Sequence, residues 1–183
     1  MDMLNASLLS REYFMKLLNG GVTAINYTIA MNHNKSETIK RILDLKDLVK
    51  ENGDVSMLVK SSGYIYKAKR EGKVGIILGF QNVTPLEGDL RMPRLYKDIG
   101  VNIIQLSYHF RNIAAASCKE RTDAGLSDWG IELVKEVNNH NSVSFKPCAL
   151  LDTYQNKSDE EIEALAKKRR GYWYNSICKD ALQ

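Results

Sequence analysis

The chain has 183 residues, enough for one domain. Apolar residues make up 44% and charged residues 26%, an ordinary globular composition. The net charge of +4 is small and scattered, so it leaves no electrostatic footprint for nucleic acid. No apolar run approaches the roughly 20 residues of a membrane span, and no basic segment precedes an apolar core as in a signal peptide. Cys118, Cys148 and Cys178 are odd in number and lack metal-site spacing. They read as reduced thiols of a cytoplasmic protein.

In chain order, residues 1–7 read as a remnant of a first strand. Ser10 caps a helix over 11–19 with Phe14, Leu17 and Leu18 on one face, and Gly20-Gly21 stops it. Val22 to Ile29, rich in β-branched residues, reads as a strand. His33 lies in the polar loop after it. Ser36 is the expected cap of a helix reaching Glu51, with Ile39, Ile42, Leu43 and Val49 at helical spacing. Ser56 to Lys60 is a weak strand, and Ser61 or Ser62 opens a helix ending near Glu71.

Val74 to Phe80 and Val101 to Ser107 are nearly continuous apolar runs, the pattern of strands buried on both faces. A helix over 89–99 is expected between them, with Asp89 as cap and Leu95 and Ile99 facing inward. A further helix begins after Ser127, with Trp129, Leu133, Val134 and Val137 apolar. Val143 to Phe145 suggests another strand. Ser158 and Glu161 form a capping box for a helix to Arg170, and residues 171–175 read as a last strand. The basic cluster Lys167 to Arg170 complements that helix's C-terminal dipole more simply than it binds phosphate.

Strands alternating with helices imply right-handed βαβ units and parallel pairing. Five strands are expected, or six with the N-terminal one. A closed (β/α) barrel needs eight and about 250 residues. The fold class is therefore α/β, a partial (β/α) TIM-barrel-like arc of five to six parallel strands with flanking helices. An arc leaves strand edges and apolar faces uncovered, which favours self-association.

Polar residues just past the C-terminal ends of parallel strands line the active face of such sheets. Gln81, Asn82, Tyr108 and His109 occupy those places, with Asn112, Arg121 and Asp123 in the following loop. Gln81 and Asn82 either orient a ligand amide or carboxylate, or bond neighbouring loop backbone. Glu87 is either a surrogate carboxylate or a favourable charge at the N-terminus of the helix over 89–99. His109 alone makes no zinc site. Arg121 either pairs with a loop carboxylate or meets a substrate carboxylate. Cys118 is a nucleophile only with a base beside it. His33 and His140 read as solvated.

Several of these segments together resemble the membrane dipeptidase (renal dipeptidase-like) family of zinc peptidases. They are Gly79-Phe-Gln-Asn82, Asn102 to Tyr108, Asn112, Glu120 to Ser127, Leu126-Ser-Asp-Trp-Gly130 with Val134 to Asn138, Ala149-Leu-Leu-Asp152 and Asn156 to Ile162. Gly20 to Asn26 looks like the family's second strand. The resemblance implies hydrolysis of dipeptide bonds by water activated between two zinc ions.

The family's His-x-Asp falls on Leu4 and Ala6, and its bridging Glu falls on Gln81. Its intermediate-stabilising His falls on Tyr108, beside His109. A ligand-bearing D-x-S-H strand is expected after Asn141, where the chain jumps instead to Val143. The second S-H falls near Ser144 and the substrate-binding Arg near Cys148. The resemblance therefore implies zinc as the family cofactor, while these residues are expected not to bind it. The chain reads as one incomplete barrel domain over residues 1–183, a truncated member with weak or no dipeptidase activity alone. The alternatives are a module that binds a dipeptide or amino-acid-like ligand without catalysis, an assembly module, and a truncated gene product.

Overall fold

Ala24–Ala30 (β2) and Val74–Phe80 (β4) pair in parallel along almost their whole lengths at the centre of the sheet. Every residue of β4 is buried, as the unbroken apolar run requires. A computed structural model describes residues 1–122, 124–139 and 143–145. Within them, Asp2–Asn5 (β1) pairs with β2, Val101–Gln105 (β5) with β4, and Val143–Phe145 (β6) with β5, all in parallel. Ser56–Leu58 (β3) pairs with the first three residues of β4, while β5 pairs with its second half. Six parallel strands thus form one sheet with flanking helices, the α/β arc that the alternating pattern implies. Among the described residues, β1 pairs only with β2 and β6 only with β5.

The helices are Arg11–Asn19 (α1), Lys35–Glu51 (α2), Ser62–Arg70 (α3), Met92–Asp98 (α4) and Asp128–Asn139 (α5). None is long and apolar enough to cross a membrane. The main core lies between α1, α2, α4 and α5 and one face of the sheet. Ile25 and Ile29 of β2, and Val74, Ile76, Leu78 and Phe80 of β4, pack with Phe14, Leu17, Ile42, Leu45, Leu133 and Val137. Each such side chain contributes about 1.5–3 kcal/mol on burial. The alternate residues Ile77 and Ile103 belong to a second, smaller cluster with Val59, which Tyr64 and Ile65 of α3 cover.

Several local expectations are corrected. The cap of α2 is Asn34, not Ser36: its side chain accepts from the Glu37 N–H, and the Glu37 carboxylate accepts from the Asn34 N–H. That reciprocal pair starts the helix earlier. On the same helix Leu45 is buried while Leu43 is exposed. In place of a helix over 89–99 stands the short helix α4, Met92–Asp98, preceded by a 3-10 turn at Thr84–Leu86. Asp89 accepts from the Arg91 N–H and guanidinium rather than capping a longer helix. Leu95 is 44% exposed, and Met92 and Tyr96 make the inner face instead. The expected helix over 158–170 and the strand over 171–175 lie outside the described residues.

Tyr96 locks α4 to the end of β4. It is fully buried, its ring meets Phe80 edge-on at 4.8 Å, and its hydroxyl donates to the Pro85 carbonyl at 3.0 Å. Burial, reinforced by the charge of Glu87, pushes its phenol up to about 12. An unfolded tyrosine ionises near pH 10. The stabilisation from the protonated phenol is therefore complete below pH 10 and is lost as pH rises towards 12, on the order of 2–3 kcal/mol. Tyr96→Phe is expected to cost about 1 kcal/mol at pH 7 and to flatten that alkaline loss. Urea titrations of both proteins from pH 8 to 12 measure it, and parallel pH profiles would refute the assignment.

Gly130 lies in the first turn of α5 against the Ala114 carbonyl, which already accepts from the Ser127 N–H at 2.9 Å. A methyl group at 130 would overlap that backbone oxygen. Glycine to alanine in a helix normally gains up to about 1 kcal/mol. Here Gly130→Ala is expected to lose on the order of 1–3 kcal/mol through overpacking, read by urea unfolding. A gain would mean that α5 does not dock this closely.

Candidate functional site

The face opposite the main core carries the polar residues. The Gln81 N–H donates to the Ala30 carbonyl at 2.9 Å, which extends the β2–β4 ladder one residue past β4. Strand alternation therefore continues: Phe80 turns to the helices, and Gln81 turns to the other side with Gly79 and Ile77. Gln81 is only 4% exposed, and its Oε1 has no hydrogen-bond partner. Gln105, the last residue of β5, is fully buried on the same face. Its Nε2 donates to the Ser107 carbonyl at 2.7 Å, and its Oε1 is also unpartnered. Thr28 stands opposite Gly79 in register, buried, with its hydroxyl unpartnered. The Asn26 amide lies directly over Gly79, so a side chain at 79 would have to push that amide aside.

Asn82 and Asn112 have a different task. Asn82 Nδ2 donates to Asn32 Oδ1 at 2.9 Å, and Asn82 Oδ1 accepts from the Val83 N–H at 2.8 Å and from Asn112 Nδ2 at 2.6 Å. Asn112 Nδ2 also donates to the Leu106 carbonyl at 2.7 Å. Its Oδ1 accepts from the Ala114 and Ala115 N–H groups at 2.8 and 3.0 Å. The three loops that follow β2, β4 and β5 are clamped together by three asparagines. Their amides are committed to loop backbone and to one another, which is the structural reading of Asn82.

His109 adopts the left-handed backbone region, at φ 63°. Its ring centroid lies 4.0 Å from that of Tyr108, tilted edge-on, and its Nδ1 is buried without a partner. The Lys119 N–H donates to the His109 carbonyl at 2.9 Å, which brings the half-buried Cys118 into the neighbourhood of this loop. Arg121 is exposed, and among the described residues it makes no ion pair. The carboxylate that shapes the loop is that of Glu120, which accepts from the Arg111 N–H at 2.8 Å. Asp123 and His140 lie outside the described residues.

Glu87 does not serve the helix over 89–99. It crosses to α2, accepting from the Lys35 N–H at 2.9 Å with the Lys35 ammonium 3.4 Å away. That backbone hydrogen bond holds its carboxyl below the usual carboxylate range, even as burial pushes the other way. His33 Nδ1 accepts from the Met31 N–H, so this ring closes the turn after β2.

The structure thus brings Gln81, Asn82 and Asn112 to one end of the sheet. Thr28, Asn32 and Gln105 belong with them although the sequence did not single them out. The signal for Thr28 and Gln105 was a polar residue inside an otherwise apolar strand; Asn32 carried none. Leu4 and Ala6, beside the end of β1, are exposed hydrocarbon. Among the described residues, no three His, Cys, Asp or Glu side chains gather as a metal site requires.

Residues 4–143 match the model of the membrane dipeptidase family, peptidase family M19. An uncharacterized dipeptidase of Schizosaccharomyces pombe is 30% identical over 107 residues, which is 56% of this chain and 26% of that protein. Among solved structures, an amidohydrolase from Pseudomonas aeruginosa aligns with TM-score 0.76 and 32% identity, over 87% of this chain and 47% of its own. A metallo peptidase from Rhodobacter sphaeroides, liganded with a phosphinate mimic of the dipeptide L-Ala-D-Ala, shares the fold. Its TM-score is 0.65 at 12% identity, over 75% of this chain and 51% of its own. The chain therefore spans about a quarter of the curated relative and about half of these two structures.

Asn112→Ala removes the hub of the clamp and leaves two loop N–H groups and the Leu106 carbonyl without their partner. The expected loss is on the order of 2–4 kcal/mol, with faster hydrogen exchange at Val83, Ala114 and Ala115. Unchanged protection at those amides would show that the asparagines do not hold the loops.

Proposed function

The chain belongs to the membrane dipeptidase family, and from that premise we propose that it keeps the family's ligand-binding face without a two-zinc hydrolytic centre. The observation that carries this reading is the chemistry at the strand ends. Zinc takes thiolate, imidazole and carboxylate ligands. Leu4 and Ala6 offer hydrocarbon, and Gln81 offers a buried neutral amide. These residues do not fit the zinc pair that the family implies.

The proposed ligand is a dipeptide or an amino-acid-like molecule. The Rhodobacter sphaeroides relative, which carries a dipeptide mimic on the same fold, supports that class. The buried polar row of Thr28, Gln81 and Gln105 supports it too, because the polar groups of a ligand would satisfy acceptors that the described residues leave unpaired. The same reading takes residues 1–183 as one incomplete barrel domain of the cytoplasm, in keeping with the free Cys118 thiol. It also has the chain associating through the edges of β1 and β6.

Metal analysis of the purified chain, followed by L-Ala-D-Ala hydrolysis with and without added zinc, tests the proposal. Substoichiometric zinc and no zinc-dependent rate above background are expected. Two zinc ions per chain with turnover would refute it.

A further inference from the structure

On the inner face of the sheet, Thr28 Oγ1, Gln81 Oε1 and Gln105 Oε1 accept no hydrogen bond among the described residues. Each belongs to a residue less than a tenth exposed. Register makes them neighbours. Thr28 pairs with Gly79, and Gly79 pairs with Ile103. Two residues further along the same face stand Gln81 and Gln105, on adjacent strands. Adjacent strands lie about 4.8 Å apart, so two long amide side chains at that spacing reach a common point. The floor beneath them is Gly79 with the Asn26 amide laid across it.

The chemistry of this cluster is narrow. The oxygens are neutral, and the rows of β2, β4 and β5 that share the face, from Ala24 to Thr28, Gly75 to Gln81 and Ile103 to Gln105, carry no charged side chain there. A divalent zinc ion is poorly served by amides and a hydroxyl. A water molecule brings only two protons to three acceptors. A primary ammonium brings three N–H donors in a tetrahedral fan, one for each oxygen, and an amino acid or dipeptide carries its own carboxylate to balance the charge.

We propose that Thr28, Gln81 and Gln105 receive the protonated amino group of an amino-acid or dipeptide ligand. This rests on the reading that the face binds a small ligand without zinc. The ammonium sits where Gln81 stands in place of the family's carboxylate, so a carboxylate restored at 81 strengthens the contact through a charge-assisted hydrogen bond.

The test uses the full chain in EDTA, with calorimetry and thermal shift against L-Ala-L-Ala, N-acetyl-L-Ala-L-Ala, ammonium chloride and potassium chloride. Saturable binding of L-Ala-L-Ala is expected, with the acetylated peptide at least tenfold weaker. Thr28→Val and Gln81→Leu are expected to weaken binding tenfold or more, and Gln81→Glu to tighten it. The comparison of free and acetylated peptide on the unmodified chain keeps the test valid where a variant fails to fold, and a Gln81→Glu variant that folds and binds L-Ala-L-Ala no better overturns the proposal. Protection by ammonium chloride beyond that of potassium chloride, without dipeptide binding, supports the site and names free ammonium as its source. Equal affinity for the free and acetylated peptides, equal protection by potassium and ammonium, or no response to any probe overturns it. The two readings fail separately: zinc-dependent hydrolysis refutes the zinc-free function, whereas a zinc-free chain that ignores the blocked amine refutes only the ammonium site.

Discussion

A strand buried on both faces sends successive side chains to opposite sides, and β4 applies that constraint to the whole molecule. Val74, Ile76, Leu78 and Phe80 go to the helices, and Gly75, Ile77, Gly79 and Gln81 go to the other face. Because the ladder to β2 continues through the Gln81 N–H, the alternation cannot lapse at the strand end. A slip of one residue would turn Phe80 to the other face and put Gln81 into the helical layer, forfeiting the edge-on contact with Tyr96. The place of Gln81 in the site is thus set by the packing of Phe80 behind it.

The same alternation explains what could be read from the sequence. Nearly continuous apolar runs identify β4 and β5, and β-branched residues identify β2, because a strand buried on both faces is filled mainly by apolar side chains. The Ser10 cap of α1 and the face of α5 follow from spacing alone. The cap of α2 was ambiguous because Asn34 and Ser36 are both good caps, and only the reach of Glu37 back to Asn34 decides between them. Leu95 misled because α4 spans only seven residues, too few for periodicity to fix which side faces in. Glu87 was read against its neighbours in sequence, yet its partner is Lys35, 52 positions away. No local pattern encodes such a pairing.

At the site, the residues legible in advance were those at abrupt ends of apolar runs. Gln81 and Asn82 are adjacent and look equivalent, yet they divide the work. Asn82 joins Asn32 and Asn112 in a hydrogen-bonded clamp, all of whose amide partners lie within the fold. Gln81 turns the other way and keeps an acceptor free. Spacing could not separate the two, because the distinction lies in which face each amide meets.

That division bears on how a hydrolase scaffold can change its chemistry. A carboxylate buried at position 81 without a cation would carry a desolvation cost large enough to raise its pKa or loosen the fold. A neutral amide occupies nearly the same volume without a net charge, so the strand end stays packed when no metal is present to balance it. The asparagine clamp is independent of that exchange, because its partners are loop backbone and other asparagines. The loops can therefore stay in place while the groups at the sheet's mouth alter. This is why the fold remains recognisable at 32% identity to a solved amidohydrolase.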